Sequence, residues 1–369
     1  MNRLTSNESI RCTGARKFAA AWLLTLLSAC STSPVAPPAA LPAARPAAST
    51  AVPPATPPTR AAASAPLPAF ALMGDMPYGA REIEPMRAII AETGNDPDIA
   101  FIAFDGDLKS GGERCDDERI LARRADFEAS RHPFIYIPGD NEWTDCHRSN
   151  NGSYHPEERL ARLREWFFPT DDSLGQRKMK LTRQGAVQPQ FAAWRENVRW
   201  EFANTLMIGI NIPGSNNNWL DQGSNHEFNA RLQANTAWIE TNFRTAREKN
   251  LAAVMLIMQA NPDFEGTEAA GAKGRAGWRD GFAEFKTQLV KEAKAFGKPV
   301  AVVHGDTHSY QLNQPVKDAT GALVANITRL ETPGSPFLGW VRATVDANDP
   351  KVFKFSLRRY GGVDPLKPQ

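Results

Sequence analysis

Four times along the chain an apolar run stops at a short turn rich in Gly and Asp: Gly74-Asp75-Met76-Pro77, Phe104-Asp105-Gly106-Asp107, Pro138-Gly139-Asp140-Asn141-Glu142-Trp143 and His304-Gly305-Asp306-Thr307-His308. Each run has the look of a buried strand, so each strand delivers a carboxylate at its C-terminal end. One Gly-Asp pair marks no more than a turn. Four in order constrain the fold, because in a parallel or mixed sheet their carboxylates converge along one edge, where open sheets bind ligands. Converging carboxylates repel one another unless a cation neutralises them, which makes a metal site the physical reading.

The rest of the pattern agrees with an α/β domain, in which apolar runs alternate with helical stretches and no internal repeat occurs. Strands are expected at Phe70 to Met73, Ile99 to Phe104, Phe134 to Ile137, Val198 to Ala203, Leu206 to Ile212, Ala252 to Met258, Val300 to Val303, Ala325 to Leu330, Trp340 to Val345 and Val352 to Leu357. Helices are expected at Glu118 to Ser130, Pro156 to Trp166, Glu227 to Arg247 and Gly281 to Phe296. In the third, Phe228, Leu232, Ile239 and Phe243 form one stripe at helical spacing, which reads as core packing. The Asn-rich segment Ser215 to Asn218 follows a strand and could line a cleft, although turn chemistry explains it equally well.

In order and spacing, the four acidic turns resemble the motifs of the calcineurin-like metallophosphoesterases, whose strand ends carry Asp-x-His, Gly-Asp, Gly-Asn-His-Asp/Glu, a lone His and Gly-His-x-His. The resemblance spans roughly residues 69 to 345 and includes the amphipathic helix before the fourth motif. It implies a two-sheet α/β sandwich flanked by helices, with two divalent cations. Residue by residue, Asp75 matches the first motif's Asp, Asp107 the carboxylate that bridges both cations, and His308 the last histidine. Several positions depart from the pattern. Pro77 stands in place of the first motif's His, Asp140 in place of the ligand Asn, Asn141 in place of the acid-base His, and Asp306 in place of the first His of the last motif. Gln259 is the best match for the lone histidine, and Glu142 keeps the acidic residue of the third motif. Imidazoles have given way to oxygen donors, which favours Mg²⁺, Mn²⁺ or Ca²⁺ over Zn²⁺ or Fe.

The function that follows is hydrolysis of a phosphoric ester, mono- or diester, by a metal-activated water. Asp75, Asp107, Asp140, Gln259, Asp306 and His308 are the expected ligands, and Asn141 and His304 the expected catalytic groups. Lys109 and Arg114 are expected to neutralise substrate charge. His304 could equally be a buried histidine closing its strand, and His147 and His155 read as solvated loop residues. Two other classes stay open: an inactive phosphoesterase-like binding module, and a purely structural Ca²⁺ site.

The N-terminus reads as an address. Arg3, Arg11, Arg16 and Lys17 precede an apolar run, Phe18 to Leu27, that is too short to span a bilayer. The run ends in Leu27-Ser28-Ala29-Cys30, which resembles the bacterial lipobox and implies a lipidated Cys30. Residues 1–29 are thus expected to be a lipoprotein signal peptide, 30–68 a tether of Pro, Ala, Ser and Thr, and 69–369 the folded domain. Ser31 after the cysteine favours the outer membrane, facing the periplasm. Contact with the membrane is expected through the lipid alone. In that oxidising compartment Cys115 and Cys146 are the pair left for a disulfide, with two free thiols as the alternative. Lys plus Arg (43) nearly balance Asp plus Glu (41), so net charge gives no indication of nucleic-acid binding.

Overall fold

The computed structural model describes residues 66–267 and 276–362. The signal peptide, Cys30 and nearly all of the tether lie outside these residues. The fold is mixed α/β, with two mixed sheets that are both flanked by helices. In the first sheet β1 (Ala69–Met73), β2 (Ile99–Phe104) and β3 (Phe134–Tyr136) run parallel. Two antiparallel strands, β11 (Gly339–Val345) and β12 (Phe353–Arg359), extend it in the order β12-β11-β1-β2-β3.

The second sheet has the order β4-β5-β6-β7-β8-β10-β9. Its centre is parallel: β6 (Thr205–Gly209), β7 (Ala253–Ile257), β8 (Val300–His304) and β10 (Ile327–Glu331). The edge strands β4 (Thr182–Arg183), β5 (Val198–Phe202) and β9 (Gln311–Asn313) pair antiparallel. Strand alternation sends Phe70, Leu72, Phe101, Ile135 and Ile137 from the first sheet against Val198, Met207, Met255, Ile257 and Val303 of the second, forming an apolar layer between them. Helices α1 (Ile83–Asn95), α2 (Asp117–Glu128) and α3 (Pro156–Phe167) cover the outer face of the first sheet, and α4 (His226–Glu248) and α5 (Ala283–Phe296) that of the second.

All ten expected strands and all four expected helices are present, with ends displaced by a few residues. Helix α1 is not among the expected helices and holds a proline, Pro85. It falls in the first turn, where a backbone N–H has no intrahelical partner to lose. The stripe on α4 also differs. Leu232 is only partly buried, while Arg231 is buried, held by Glu227 Oε1 at 2.7 Å and by Asn217.

Since β2 and β3 are neighbours, the loops leaving them can meet, and Cys115 and Cys146 are joined with a Cα–Cα distance of 5.8 Å. Both sulfurs also lie against the carbonyl oxygen of Asn141, at 3.5 and 3.7 Å. The bridge closes 31 residues of separation, which by loop-closure entropy stabilises the fold by about 3.5 kcal/mol. Intact mass of protein from an oxidising compartment is therefore expected to show no alkylatable thiol at these positions, and a Cys115→Ser, Cys146→Ser double variant should melt several degrees lower.

Candidate metal centre

The acidic turns leave the C-terminal ends of β1, β2, β3 and β8, so carboxylates from both sheets meet at one end of the sandwich. The backbone is bent to bring them there. Asp75 (φ 51°), Asp107 (φ 60°), Asp306 (φ 77°) and His308 (φ 59°) all adopt left-handed conformations that non-glycine residues seldom take. Such strain clusters where geometry serves a site. The loops also approach too closely for side chains at two glycines. A Cβ on Gly106 would lie 2.8 Å from the Gly139 nitrogen, and one on Gly139 would lie 2.1 Å from Asp107 Oδ1.

Asp107, Asp140 and Asp306 each offer a carboxylate oxygen, and these oxygens lie within 4.8 Å of one another. Among the described residues this is the one group of three or more such ligands so close together. Burial pushes the Asp107 carboxyl well above the ordinary range, and Asp140, Glu142, Asp75 and Asp306 add to the effect by repulsion. The donor set is all oxygen, which fits a hard divalent cation such as Mg²⁺, Mn²⁺ or Ca²⁺.

Hydrogen bonds aim this trio. Gln259 donates from Nε2 to Asp140 Oδ1 at 3.0 Å and to Asp306 Oδ1 at 3.3 Å. Its Oε1 accepts from the backbone N–H groups of Gly214 (2.5 Å) and Asp140 (3.3 Å). Gln259 thus turns its amide nitrogen to the acids and its oxygen to the backbone, an arrangement that orients the acids. Glu142 Oε1 accepts from Tyr136 Oη (2.6 Å), Gly139 N (2.7 Å) and Asp107 N (3.1 Å), tying the β2 and β3 turns together. Burial pushes the Glu142 carboxyl up to about 7.

Asp75 and His308 adjoin the acidic trio. Asp75 accepts the Asp306 backbone N–H at 3.1 Å, and its Oδ1 is 3.5 Å from His308 Nε2. Burial pulls His308 toward the neutral form, but Asp75 more than offsets this and leaves its pKa raised. Between Asp75, Asp107 and His308 stands the hydroxyl of Tyr78, a residue the sequence pattern had not marked. Its one sequence cue is its position three residues after Asp75.

The other expected participants are placed elsewhere. His304 is fully buried, with Nδ1 2.9 Å from the Gly305 carbonyl oxygen, and burial pushes its pKa down to about 3, so it is a neutral core histidine and no proton donor. Lys109 is also buried, donating to the Ser110 carbonyl at 3.0 Å, and burial lowers its pKa despite the nearby Glu142 and Asp107. Arg114 is exposed and paired with Asp116 at 2.9 Å. The cation that does reach the acids is Arg148, unmarked in the sequence. It is half-exposed, bridges to Asp145 Oδ2 at 2.6 Å and donates to Ser215 Oγ at 3.3 Å.

Ser215 opens a run of four left-handed residues, Ser215 to Asn218, with φ between 49° and 57°. Side-chain bonds from Asn216 to the Arg279 carbonyl, from Asn217 to the Gly281 carbonyl and from Asn218 to Glu227 hold this strained turn. It delivers Ser215 Oγ to Asp140 Oδ2 (2.8 Å) and Asp145 Oδ1 (2.7 Å), so the Asn-rich segment borders the acids.

No protein family and no curated protein matches this chain. Among solved structures it is similar to one described as "GAP50 the anchor in the inner membrane complex of Plasmodium", at 10% identity over 79% of this chain and 88% of that one, with a TM-score of 0.44. A likeness this distant bears on neither fold family nor role. Among the described residues no helix is long and apolar enough to cross a membrane.

Proposed function

We propose that the chain is a divalent-cation-dependent phosphoesterase of the calcineurin-like class, carried on a lipid-anchored envelope protein. The observation that carries this reading is the convergence of Asp107, Asp140 and Asp306 within 4.8 Å at the strand ends of two facing sheets. The α/β sandwich and the order of its acidic turns support it, as does the lipobox-like Leu27-Ser28-Ala29-Cys30.

Asp107, Asp140 and Asp306 hold the cation, and Gln259 and Glu142 fix the turns that carry them. A divalent cation bound there lowers the pKa of a water and stabilises the charge that builds on a phosphoryl oxygen. Arg148, half-exposed and held by Asp145 and by Ser215 Oγ beside Asp140, gives the edge of the acidic site a positive group for the phosphate. Asn141, 2.6 Å from Asp107 Oδ2, is a hydrogen-bond donor without an acid's labile proton.

The test is the purified protein, freed of metal by chelation and assayed on aryl phosphate mono- and diesters with and without Mg²⁺ or Mn²⁺. Hydrolysis should depend on the added cation. A protein that neither turns over nor changes its melting temperature with cation would instead be a binding module. Cation-dependent melting without turnover would indicate a structural site.

A further inference from the structure

Tyr78 is placed where four of the strand-end groups meet. Its hydroxyl donates to Asp107 Oδ2 at 2.9 Å, lies 3.5 Å from Asp75 Oδ1, and stands 3.0 Å from Asn141 Nδ2 and 3.2 Å from His308 Nε2. These partners come from four separate turns, so the phenol oxygen is the common centre of this half of the site. A hydroxyl has one proton to give and two lone pairs, and the surrounding groups take up that capacity.

The tyrosine is pinned from behind. Its backbone N–H donates to Glu82 Oε2 at 2.7 Å, while Glu82 Oε1 accepts from Ser335 Oγ at 2.7 Å. The Ser335 carbonyl oxygen lies 2.6 Å from His308 Nδ1, and the Tyr78 and His308 rings meet edge to face at 5.0 Å. This closed ring of contacts holds the partly buried phenol among the carboxylates.

Asp75, Asp107 and His308 would together make an ordinary cage for a cation, with ligands drawn in to roughly 2.0–2.6 Å. A neutral oxygen at hydrogen-bond distance from the same three groups fills the space that cation needs. On the side of Asp140 and Asp306 the intervening groups are instead the Gln259 amide nitrogen, at 3.0 and 3.3 Å, and Ser215 Oγ, 2.8 Å from Asp140 Oδ2. We propose that Tyr78 takes the place of one of two cations, so that the centre holds a single hard cation on Asp107, Asp140 and Asp306 and a phenol where a second ion would sit. This rests on the cation reading above. The phenol then faces the substrate side as a neutral hydrogen-bonding group, and only one ion contacts a bound phosphate.

Counting Mn²⁺ tests this without reference to turnover. Metal-free full-length protein is dialysed against Mn²⁺, and bound metal is measured by elemental analysis and by electron paramagnetic resonance. Wild type should bind one Mn²⁺ with an uncoupled spectrum, and Tyr78→Ala should bind two with the spectrum of a coupled pair. His308→Ala should still bind one, since the direct partners of His308 are Tyr78, Asp75 and the Ser335 carbonyl. Two ions on wild type would overturn the proposal, as would a single ion on well-folded Tyr78→Ala. Should Tyr78→Ala fail to fold, the counts on wild type and His308→Ala decide alone, and loss of the ion in His308→Ala counts against it. No Mn²⁺ on any of the proteins would remove the cation reading itself, a different failure from two ions on wild type.

Discussion

Asp107→Asn is expected to remove bound cation and phosphoesterase turnover together, by roughly 10³-fold or more in kcat/KM, the upper range for loss of one group that stabilises developing charge. Asp107 stands at the middle of the site. One side faces Asp140 and Asp306, and its Oδ2 receives the Tyr78 hydroxyl and Asn141 Nδ2. An amide there keeps the volume, loses the charge and turns a donor toward these donors. The same change should cost the metal-free protein little stability, because burial and the neighbouring acids already disfavour a charged Asp107. Loss of one accepted hydrogen bond would cost about 1 kcal/mol, partly offset by relief of repulsion. A melting temperature near wild type in chelator, beside lost turnover, separates a damaged site from a damaged fold. Near-wild-type turnover in Asp107→Asn would refute the proposed function.

Under the proposed function, a steep dependence of rate on the leaving group is expected for the wild-type protein. Asn141, the donor beside the acidic trio, has no labile proton to give a departing oxygen. Asn141 Nδ2 is engaged by Asp107 and Tyr78, His304 is buried and neutral, and Glu142 is spent on three donors. Tyr78 is no substitute, because burial and Asp107 raise its pKa well above the usual value. A positioned acid is worth roughly 10² to 10⁴-fold, and alkyl esters should forgo that factor while aryl esters, whose anions leave unaided, lose little. Rates over a series of graded leaving-group pKa would show this, and Asn141→His should raise the rates of the poor leaving groups selectively. A flat series, unchanged in Asn141→His, would mean that another residue supplies the proton.

The strands were legible because most are unbroken apolar runs ending in turn residues. β4 and β9 were not, since Thr182–Arg183 is two residues long and Gln311–Asn313 is a polar edge with an exposed Leu312. The acids of the centre were legible for a related reason: each is anchored in sequence to the end of a readable strand. What surrounds them was not. Tyr78 meets His308 across 230 positions and Arg148 meets Ser215 across 67, and nothing local distinguishes such a tyrosine or arginine from those on any surface loop. Lys109 was the converse error. It follows an acidic turn closely, but the backbone turns its amine inward onto a carbonyl.

The two sheets are joined differently at their two ends. Toward the starts of β1 and β2, Phe70, Phe101, Trp200 and Phe202 interlock, with ring centroids 4.7 to 5.8 Å apart. At the far end the first sheet contributes Asp75, Asp107 and Asp140 and the second contributes Asp306, joined by the Asp306 N–H on Asp75 and by the Gln259 amide on Asp140 and Asp306. The sandwich is thus closed by aromatic rings at one end and by hydrogen-bonded acids at the other. A cation held by Asp107, Asp140 and Asp306 would cross-link the two sheets at that acidic end.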